Sequence, residues 1–167
     1  MKTSMHMSGL RELGQAFAAL NDDIQKKAGR NAVSAGANVI KKEAKKLVPV
    51  LAVDTITRNP GTIKKNIRSK AVKKKDGTFE ARVWVKGLGA KKISAFKAST
   101  GNAAKDNPDD PFYWHFVEFG TAKAPAQPFM RPAFEQQKVV AAEKIKSNLL
   151  NRINKEAARI GKTIGKA

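Results

Sequence analysis

The side chains best suited to act as acids, bases or metal ligands gather between residues 109 and 123 of this sequence. Asp109 and Asp110 come first, His115 and Glu118 follow, and Lys123 ends the group. Carboxylates that converge on a cation beside a lysine are typical of metal-dependent nucleases. The spacing does not fit that chemistry, because no lysine stands two residues after Glu118.

The placement of His115 and Glu118 also argues against catalysis. They are three residues apart in a segment that we predict to be a strand, so their side chains point to opposite faces and cannot share a proton or a metal ion. The sequence contains no Gly-rich phosphate loop, no Gly-x-Ser-x-Gly motif and no paired metal ligands. We therefore expect no enzyme, no catalytic residue, no metal, no cofactor and no small-molecule substrate.

The strand prediction covers residues 112–119, where β-favouring residues follow one another and Gly120 closes the run. Pro125 and Pro128 keep the following connector extended, because the residue before a proline is pushed out of the α region. The segment 112–134 is thus predicted to be a strand, a tight turn, a stiff connector and the start of a helix.

Glu118 is the one acidic residue in that apolar run. A buried carboxylate needs an arginine, a lysine or backbone N–H groups as partners. We expect a structural hydrogen bond that fixes the turn. The alternative is a salt bridge between subunits, with Arg131 as the preferred donor because its planar guanidinium suits a partly buried carboxylate.

Large aromatic side chains crowd the same region, and Trp84 lies on the polar face of a strand that alternates over residues 79–86. An aromatic residue at such a position is often covered by a neighbouring subunit. The stiff connector would present side chains to that subunit at little entropic cost. The candidate interface residues are Trp84, Trp114, Phe116, Glu118, Phe129 and Arg131.

Two strings of residues resemble a known family: WHFVEFGT at 114–121 and AQPFMRPA at 126–133. They are similar to the hallmark of small virion proteins of long-tailed bacteriophages, the tail-completion or neck family typified by the HK-ninety-seven gene product ten. The string PGTIKKNI at 60–67 and the helical patterns at both ends of the chain extend the resemblance.

The resemblance implies a structural virion protein that completes the head-proximal end of the tail and helps to join it to the filled head. It implies a homo-oligomeric ring, with the tail tube or tail terminator and the head–tail connector proteins as further partners. Packaged DNA in the channel stays open as another partner. The protein is expected in the host cytoplasm during assembly and then in the neck of the virion.

Charge favours a second class of function. The chain has 33 basic and 14 acidic side chains among 167 residues, a formal net charge of +19. Such an excess indicates nucleic acid or an acidic protein surface as a neighbour, unless the lysines only keep helix faces soluble. The alternative function is therefore sequence-independent nucleic-acid binding. The candidates for that contact flank the predicted hairpin turn and long loop: Lys73, Lys74, Lys75, Lys91 and Lys92.

The sequence has no cysteine and no stretch of about 20 apolar residues, and Met1 to Met7 lack the apolar core of a signal peptide. These features predict a soluble intracellular product without disulfides or a membrane partner.

The first third of the chain is predicted to be helical, because apolar residues recur at helical spacing from Leu10 to Leu47. Asn21 and Asp22 offer an N-cap, so we expect a break there and a second helix that reaches Val48. A loop at 50–59, a short helix from Pro60 to about Ser69 and an Asp-Gly hairpin turn at 76–77 complete the path to the alternating strand.

The segment 87–111 is predicted to be a long loop, which exceeds the usual ceiling of about 12 to 15 residues for structureless loops in compact domains. It holds too few apolar side chains to offset the entropy of ordering its backbone. We expect it to be mobile in the free protein and ordered against a neighbour, with Ile93 and Phe96 as contact residues.

The chain ends in a predicted helix of about 29 residues that starts at Pro132, roughly 43 Å at the standard rise, followed by a basic tail. The whole sequence predicts one α+β domain over 1–167, with amphipathic helices on a small, mainly antiparallel sheet. Its parts are a helical layer (1–49), a sheet region (50–131) and the C-terminal helix with its tail (132–167).

Overall fold

A computed structural model describes residues 10–50 and 58–164 of the chain. The N-terminal segment, most of the predicted loop at 50–59 and the last residues of the basic tail lie outside these ranges. The elements in chain order are α1 (Leu10–Ala18), α2 (Asp22–Leu47), α3 (Thr62–Asn66), β1 (Ile67–Lys73), β2 (Phe79–Val85), α4 (Ala90–Thr100), a short 3-10 helix (Ala104–Asp106), α5 (Trp114–Phe119) and α6 (Met130–Ile164). The predicted α+β class is confirmed, with a two-stranded antiparallel sheet and a long C-terminal helix.

The break between α1 and α2 is confirmed near Asn21. The Asn21 side chain accepts a hydrogen bond from the N–H of Asp23 at 3.0 Å. The Gln25 side chain reaches back and donates to the carbonyl groups of Ala18 at 2.9 Å and Leu20 at 2.8 Å. These bonds satisfy backbone groups that a helix end leaves without partners, so they fix where one helix stops and the next starts.

The hairpin turn is confirmed, but the helix before it is shorter than predicted. Gly77 has a φ of 86°, and the Asp76 carboxylate accepts hydrogen bonds from the N–H and the hydroxyl of Thr78. The predicted helix through Ser69 is wrong, because α3 ends at Asn66 and β1 follows at once. The pairing of β1 with β2 satisfies the backbone groups that a longer helix would have satisfied internally.

The segment 87–111 is not a structureless loop, because α4 and the 3-10 helix occupy much of it. Ala and Lys are strong helix formers, and Gly101 ends α4 in the left-handed conformation with its N–H bonded to the Lys97 carbonyl at 2.9 Å. Ile93 and Phe96 are half-buried one turn apart. The mobility of this segment in the free protein, and its ordering against a neighbour, stay predictions.

The C-terminal helix α6 has 35 residues, roughly 52 Å at the standard rise. It begins two residues before Pro132, which therefore lies in the first turn, where its missing N–H costs nothing. No helix in the described part of the chain combines the length and the apolar content that a bilayer span requires.

The contacts divide the chain into two compact units. Unit 1 comprises 1–37, 71–81 and 139–167, and unit 2 comprises 38–70 and 82–138. Because α2, the hairpin and α6 contribute residues to both units, the division does not by itself separate two domains. The single-domain expectation therefore stays a prediction.

Unit 1 depends on close approach to the small residues of α2. A Cβ atom added to Gly29 would lie 2.5 Å from the Phe79 ring, and one added to Gly36 would lie 2.7 Å from the Ile145 side chain. Phe17 meets the Phe79 ring edge-on at 6.1 Å between centroids. Glycines on α2 therefore let Phe79 and Ile145 approach this helix closely.

Unit 2 holds the main hydrophobic core that positions the candidate site. Its buried members come from the end of α2 and the residue after it, from α3, from the sheet, and from the start of α6 and the residue before it. They are Ala44, Val48, Ile63, Ile67, Val85, Phe129 and Ala133.

Candidate assembly interface

Residues 112–119 do not form the predicted strand, because α5 occupies Trp114–Phe119. The N–H of Trp114 donates to the Pro111 carbonyl at 2.9 Å, and the N–H of Gly120 donates to the Phe116 carbonyl at 2.9 Å. The backbone groups of this segment are therefore satisfied within one short helix. The strand prediction was wrong.

The two sides of α5 differ in exposure. Trp114 and Val117 pack against the core and Glu118 is buried, whereas Phe116 is 55% exposed and Phe119 is 60% exposed. Inward residues at i, i+3 and i+4 are the helical signal that the strand prediction missed. Aromatic and β-branched residues favour strands only through their packing context, so propensity alone misled it.

The Glu118 carboxylate caps the N-terminus of α6. Its Oε2 accepts hydrogen bonds from the N–H groups of Phe129 at 2.8 Å and Met130 at 2.9 Å. Its Oε1 accepts from the N–H of Arg131 at 3.1 Å and from Nε of Arg131 at 3.2 Å. The predicted structural hydrogen bond is present, and its donors are backbone N–H groups at the start of α6. Arg131, expected as the donor of a salt bridge between subunits, pairs with Glu118 within the chain.

Glu118 is almost completely buried, with 1% of its surface exposed. Burial acts to raise its pKa, but the backbone N–H groups of Met130, Phe129 and Arg131 and the Arg131 side chain hold the pKa below its ordinary value. The negative charge also complements the positive end of the α6 dipole. Glu118 therefore joins α5 to α6, and its carboxylate oxygens are already used in hydrogen bonds within the chain.

Gly120 sets the path that the chain takes from α5 to α6. Its φ of 77° and ψ of 178° lie in a region that is open almost only to glycine. A Cβ atom there would lie 2.8 Å from the Ala126 nitrogen. The N–H of Gln127 then donates to the Val117 carbonyl at 2.8 Å, so the connector folds back onto α5.

Four phenylalanines of unit 2 are exposed on α5, just before it and in the first turns of α6. Phe116 and Phe119 lie one turn apart on α5, and Phe112 precedes them. The Phe119 ring lies 5.0 Å from the guanidinium of Arg131, and Phe134 follows Arg131 by one turn of α6. We call these the exposed aromatic surface: Phe112, Phe116, Phe119 and Phe134.

An apolar groove of about 330 Å³ opens beside the exposed aromatic surface. Phe116 and Val117 form one wall, and Ile63, Val50 and Pro125 belong to the others. The combination of a groove and protruding rings suits contact with another protein surface.

The carboxylates before α5 act as turn formers. Asp110 accepts a hydrogen bond from the N–H of Phe112 at 3.2 Å, and Asp109 accepts one from the Asn59 side chain at 2.9 Å. Within the described residues, no group of three or more His, Asp and Glu side chains is placed to hold a metal ion.

His115 and Glu118 do not lie on opposite faces, because three residues on a helix are neighbours. They still form no proton-transfer pair. The His115 ring lies against Trp114, with 3.7 Å between ring centroids, and the Glu118 carboxylate is taken by the cap.

Arg58 ties this turn to the start of α3. Its guanidinium donates to the Lys105 carbonyl at 3.2 Å and lies about equally close to the rings of Phe112, at 5.0 Å, and Tyr113, at 4.9 Å. The Thr62 hydroxyl donates to the Pro108 carbonyl at 3.1 Å. These contacts hold the segment before α5 rigid, and with it part of the exposed aromatic surface.

The structure separates the predicted interface residues. Phe129 is 0% exposed and lies in the core, so its ring is not available to a partner and we do not retain it as an interface residue. Trp84 and Trp114 are half-buried, whereas Phe116 is exposed. The sequence prediction did not include Phe119 and Phe134, which the structure shows to be exposed.

The predicted lysine contacts fall into two groups. Lys73 pairs with Asp22 at 3.2 Å and Lys74 with Glu80 at 2.5 Å, while Lys75 is exposed. These three belong to unit 1. The other two, Lys91 and Lys92, are exposed on α4 in unit 2.

One family model matches the chain, over residues 11–120, about two thirds of its length. Its description is "HK97-gp10_like: Bacteriophage HK97-gp10, putative tail-component". The match runs from α1 through α5 to Gly120, so it includes the capping residue Glu118. No curated protein and no solved structure matches the chain.

Proposed function

The chain belongs to the HK97-gp10-like family of bacteriophage tail components, and from this membership we propose that it forms a ring at the head-proximal end of the tail. In this role it completes the tail and takes part in joining it to the filled head. A tail component is a structural part of the virion, which points away from an enzyme.

The exposed aromatic surface is the observation that carries the ring proposal. Monomeric proteins rarely expose several large aromatic side chains together, and such patches are typical of protein interfaces. Phe116 and Phe119 stand on a helix that Glu118, Gly120 and Arg58 hold in place. Preformed surfaces bind at a lower entropic cost than mobile ones.

Charge favours a second copy of the chain as the occupant of this surface. Copies that each carry a net charge of +19 repel one another through most of their surface. Residues 106–122, which include α5, hold four carboxylates and no Lys or Arg. Self-contact through this segment reduces the repulsion, because the segment contains no Lys or Arg.

The proposed partners beyond the ring are the tail tube or tail terminator on one side and the head–tail connector proteins on the other. Packaged DNA in the channel is the proposed partner of the basic surface. The setting is the host cytoplasm during assembly and the neck of the virion afterwards.

The test replaces Phe116 and Phe119 with alanine in the full chain. A phenylalanine buries about 150 to 250 Å² in an interface. Losing the exposed half of one ring should therefore weaken the free energy of association by about 2 to 3 kcal/mol. The double variant should raise the dissociation constant of the ring at least about 100-fold. Sedimentation velocity measures the assembly, and class averages from electron microscopy show whether it is a ring.

The matched control is Val139→Ala with Val140→Ala, two exposed apolar residues of α6. This pair should leave the sedimentation profile unchanged. Equal assembly by the wild type and the Phe116 and Phe119 variant would contradict the proposed interface, and a wild type without rings at any concentration would contradict the ring.

Sequence-independent nucleic-acid binding stays the alternative function, and the net charge of +19 favours it. Salt separates the two functions. Binding to DNA weakens steeply with salt in proportion to the phosphates neutralised, whereas self-association through aromatic residues changes little.

A further inference from the structure

Two backbone hydrogen bonds fix the register of the β1–β2 hairpin. The N–H of Lys86 donates to the Asn66 carbonyl at 2.9 Å, and the N–H of Lys74 donates to the Thr78 carbonyl at 2.8 Å. In an antiparallel pair without a bulge, the numbers of opposite residues always add up to the same value. The two pairs meet this condition, and both strands have seven residues. The antiparallel ladder therefore keeps one register from the turn to its open end.

This register places Lys70 directly opposite Arg82 and Arg68 directly opposite Trp84. Alternation along the strands puts all four on one face, and Lys86 continues the row. The four cations are exposed and Trp84 is half-buried. We call this set the basic hairpin face: Arg68, Lys70, Arg82 and Lys86.

The exposed cations of this face form a positive row that suits a polyanion, and the one carboxylate that alternation adds to the same face is Glu80, two residues from Arg82. Side chains two apart on a strand are about 6.6 to 6.8 Å apart, and opposite side chains about 5 Å. Each strand of duplex DNA carries one phosphate about every 3.4 Å along the helix axis, so a row of cations at these spacings can meet more than one phosphate. We propose that the basic hairpin face binds the phosphate backbone of duplex DNA.

The surroundings of the face favour DNA over a protein partner. Stable protein interfaces depend on a few large, desolvated anchors such as exposed aromatic residues. Within the described residues, none of the strongly exposed large apolar side chains lies on the hairpin. Interfaces with DNA are instead polar and strongly positive, as this face is.

The face also differs from the lysine contacts that the sequence predicted. Lys73 and Lys74 have carboxylate partners, Asp22 and Glu80, which reduce the charge that they offer to DNA. The basic hairpin face escaped prediction because β1 was taken for a helix as far as Ser69. Only the ladder brings the cations of β1 and β2 together.

This inference rests on the proposed function for its setting, in which a tail component meets DNA. The binding step itself needs only the hairpin, so it can be tested apart from the ring. The probe is a fluorescent duplex of mixed sequence, about 30 base pairs or roughly three turns long. Anisotropy gives the affinity of the full chain from about 50 to about 200 mM salt.

The test variant carries Arg68→Gln, Lys70→Gln and Lys86→Gln. Each lost phosphate contact lowers the slope of log affinity against log salt by about 0.9, so three lower it by about 2.7. Affinity near 100 mM salt should fall at least about tenfold. Arg68→Lys with Lys70→Arg keeps the charges and should retain binding.

The control variant carries Lys27→Gln, Arg30→Gln and Lys42→Gln, which removes the same charge from exposed positions of α2. It should change the affinity less than about threefold and leave the salt slope unchanged. Equal losses in both triple variants would show a bulk charge effect and overturn the proposal, as would no loss in either.

Two further readouts separate the competing explanations. Poly-L-glutamate replaces DNA as the probe, and a test variant that loses affinity for this polymer but keeps its affinity for DNA would assign the face to an acidic protein. Sedimentation without DNA should be the same for the test variant and the wild type. A test variant that loses the ring while it keeps its DNA affinity would make the face a self-contact and overturn the proposal.

Discussion

Removing the Glu118 carboxylate should destabilise unit 2 more than any exposed charge does. Glu118→Ala removes four hydrogen bonds and leaves three backbone N–H groups at the start of α6 without their acceptor. The N–H of Phe129 is buried, so it cannot turn to water instead. Loss of a cap costs about 1 kcal/mol and each orphaned buried donor about 1 to 3 kcal/mol. We expect a loss of about 3 to 5 kcal/mol.

Urea unfolding followed by tryptophan fluorescence measures this loss, because Trp114 packs against the core beside Glu118. Thermal unfolding provides a second measure. A chain of this size loses about 2 to 4 °C of melting temperature per kcal/mol, so the melting temperature should fall by about 10 °C. Glu118→Gln keeps one acceptor oxygen but turns an amide toward the Arg131 donors, and should lose about 2 kcal/mol.

The matched control is Glu135→Ala, which removes an exposed carboxylate of α6 that pairs with Lys138. It should cost less than about 0.5 kcal/mol. If Glu118→Ala costs no more than this control, the Glu118 carboxylate does not hold α5 and α6 together and the reasoning fails.

The same residue predicts a pH dependence. The pKa of Glu118 is lower in the folded chain than its unfolded value of about 4.3. The advantage of the wild type over Glu118→Gln is therefore fully present above about pH 4.3 and is lost as the pH falls through the lower, folded-state pKa. An advantage that persists unchanged in strong acid would contradict the assigned ionisation.

The remaining predictions concern glycines. Gly120→Ala should cost at least about 2 kcal/mol in urea unfolding, because the residue has a φ of 77° and its Cβ would meet the Ala126 backbone. Gly36→Ala should also destabilise, by about 1 to 3 kcal/mol, because its Cβ would lie 3.0 Å from the Ala141 carbonyl oxygen. A Cβ atom at Gly14 would meet no other atom, so Gly14→Ala should instead stabilise α1 by up to about 1 kcal/mol. If Gly36→Ala and Gly14→Ala changed the free energy of unfolding in the same direction, the packing described for α2 would be contradicted.

Patterns of short range were predictable from the sequence. The α1–α2 break depends on the side chains of Asn21 and Gln25, and the hairpin turn on Asp76 and Gly77, all of which act on backbone groups within a few residues. The family resemblance also rests on contiguous strings. These features need no knowledge of what packs against them.

The failures have a common physical cause. Residues 112–119 favour strands by type, yet they form α5 because Trp114 and Val117 find the core at helical spacing and the Glu118 carboxylate finds the N-terminus of α6. The segment 87–111 was predicted to be a loop because it holds few apolar side chains, but helix formers fill Ala90–Thr100 and Gly101 closes α4.

The sequence by itself determined the α+β class, the helical termini and the Asp-Gly hairpin, because each follows from residue type and local spacing. The fold decided that Glu118 pairs with Arg131 of the same chain. Only the tertiary structure decided which aromatic rings are enclosed, as Phe129 is, and which face outwards, as Phe119 does. It also decided that Arg68 and Lys70 share a face with Arg82. Burial and strand register join residues that are distant in the chain, and one sequence without its fold does not specify those neighbours.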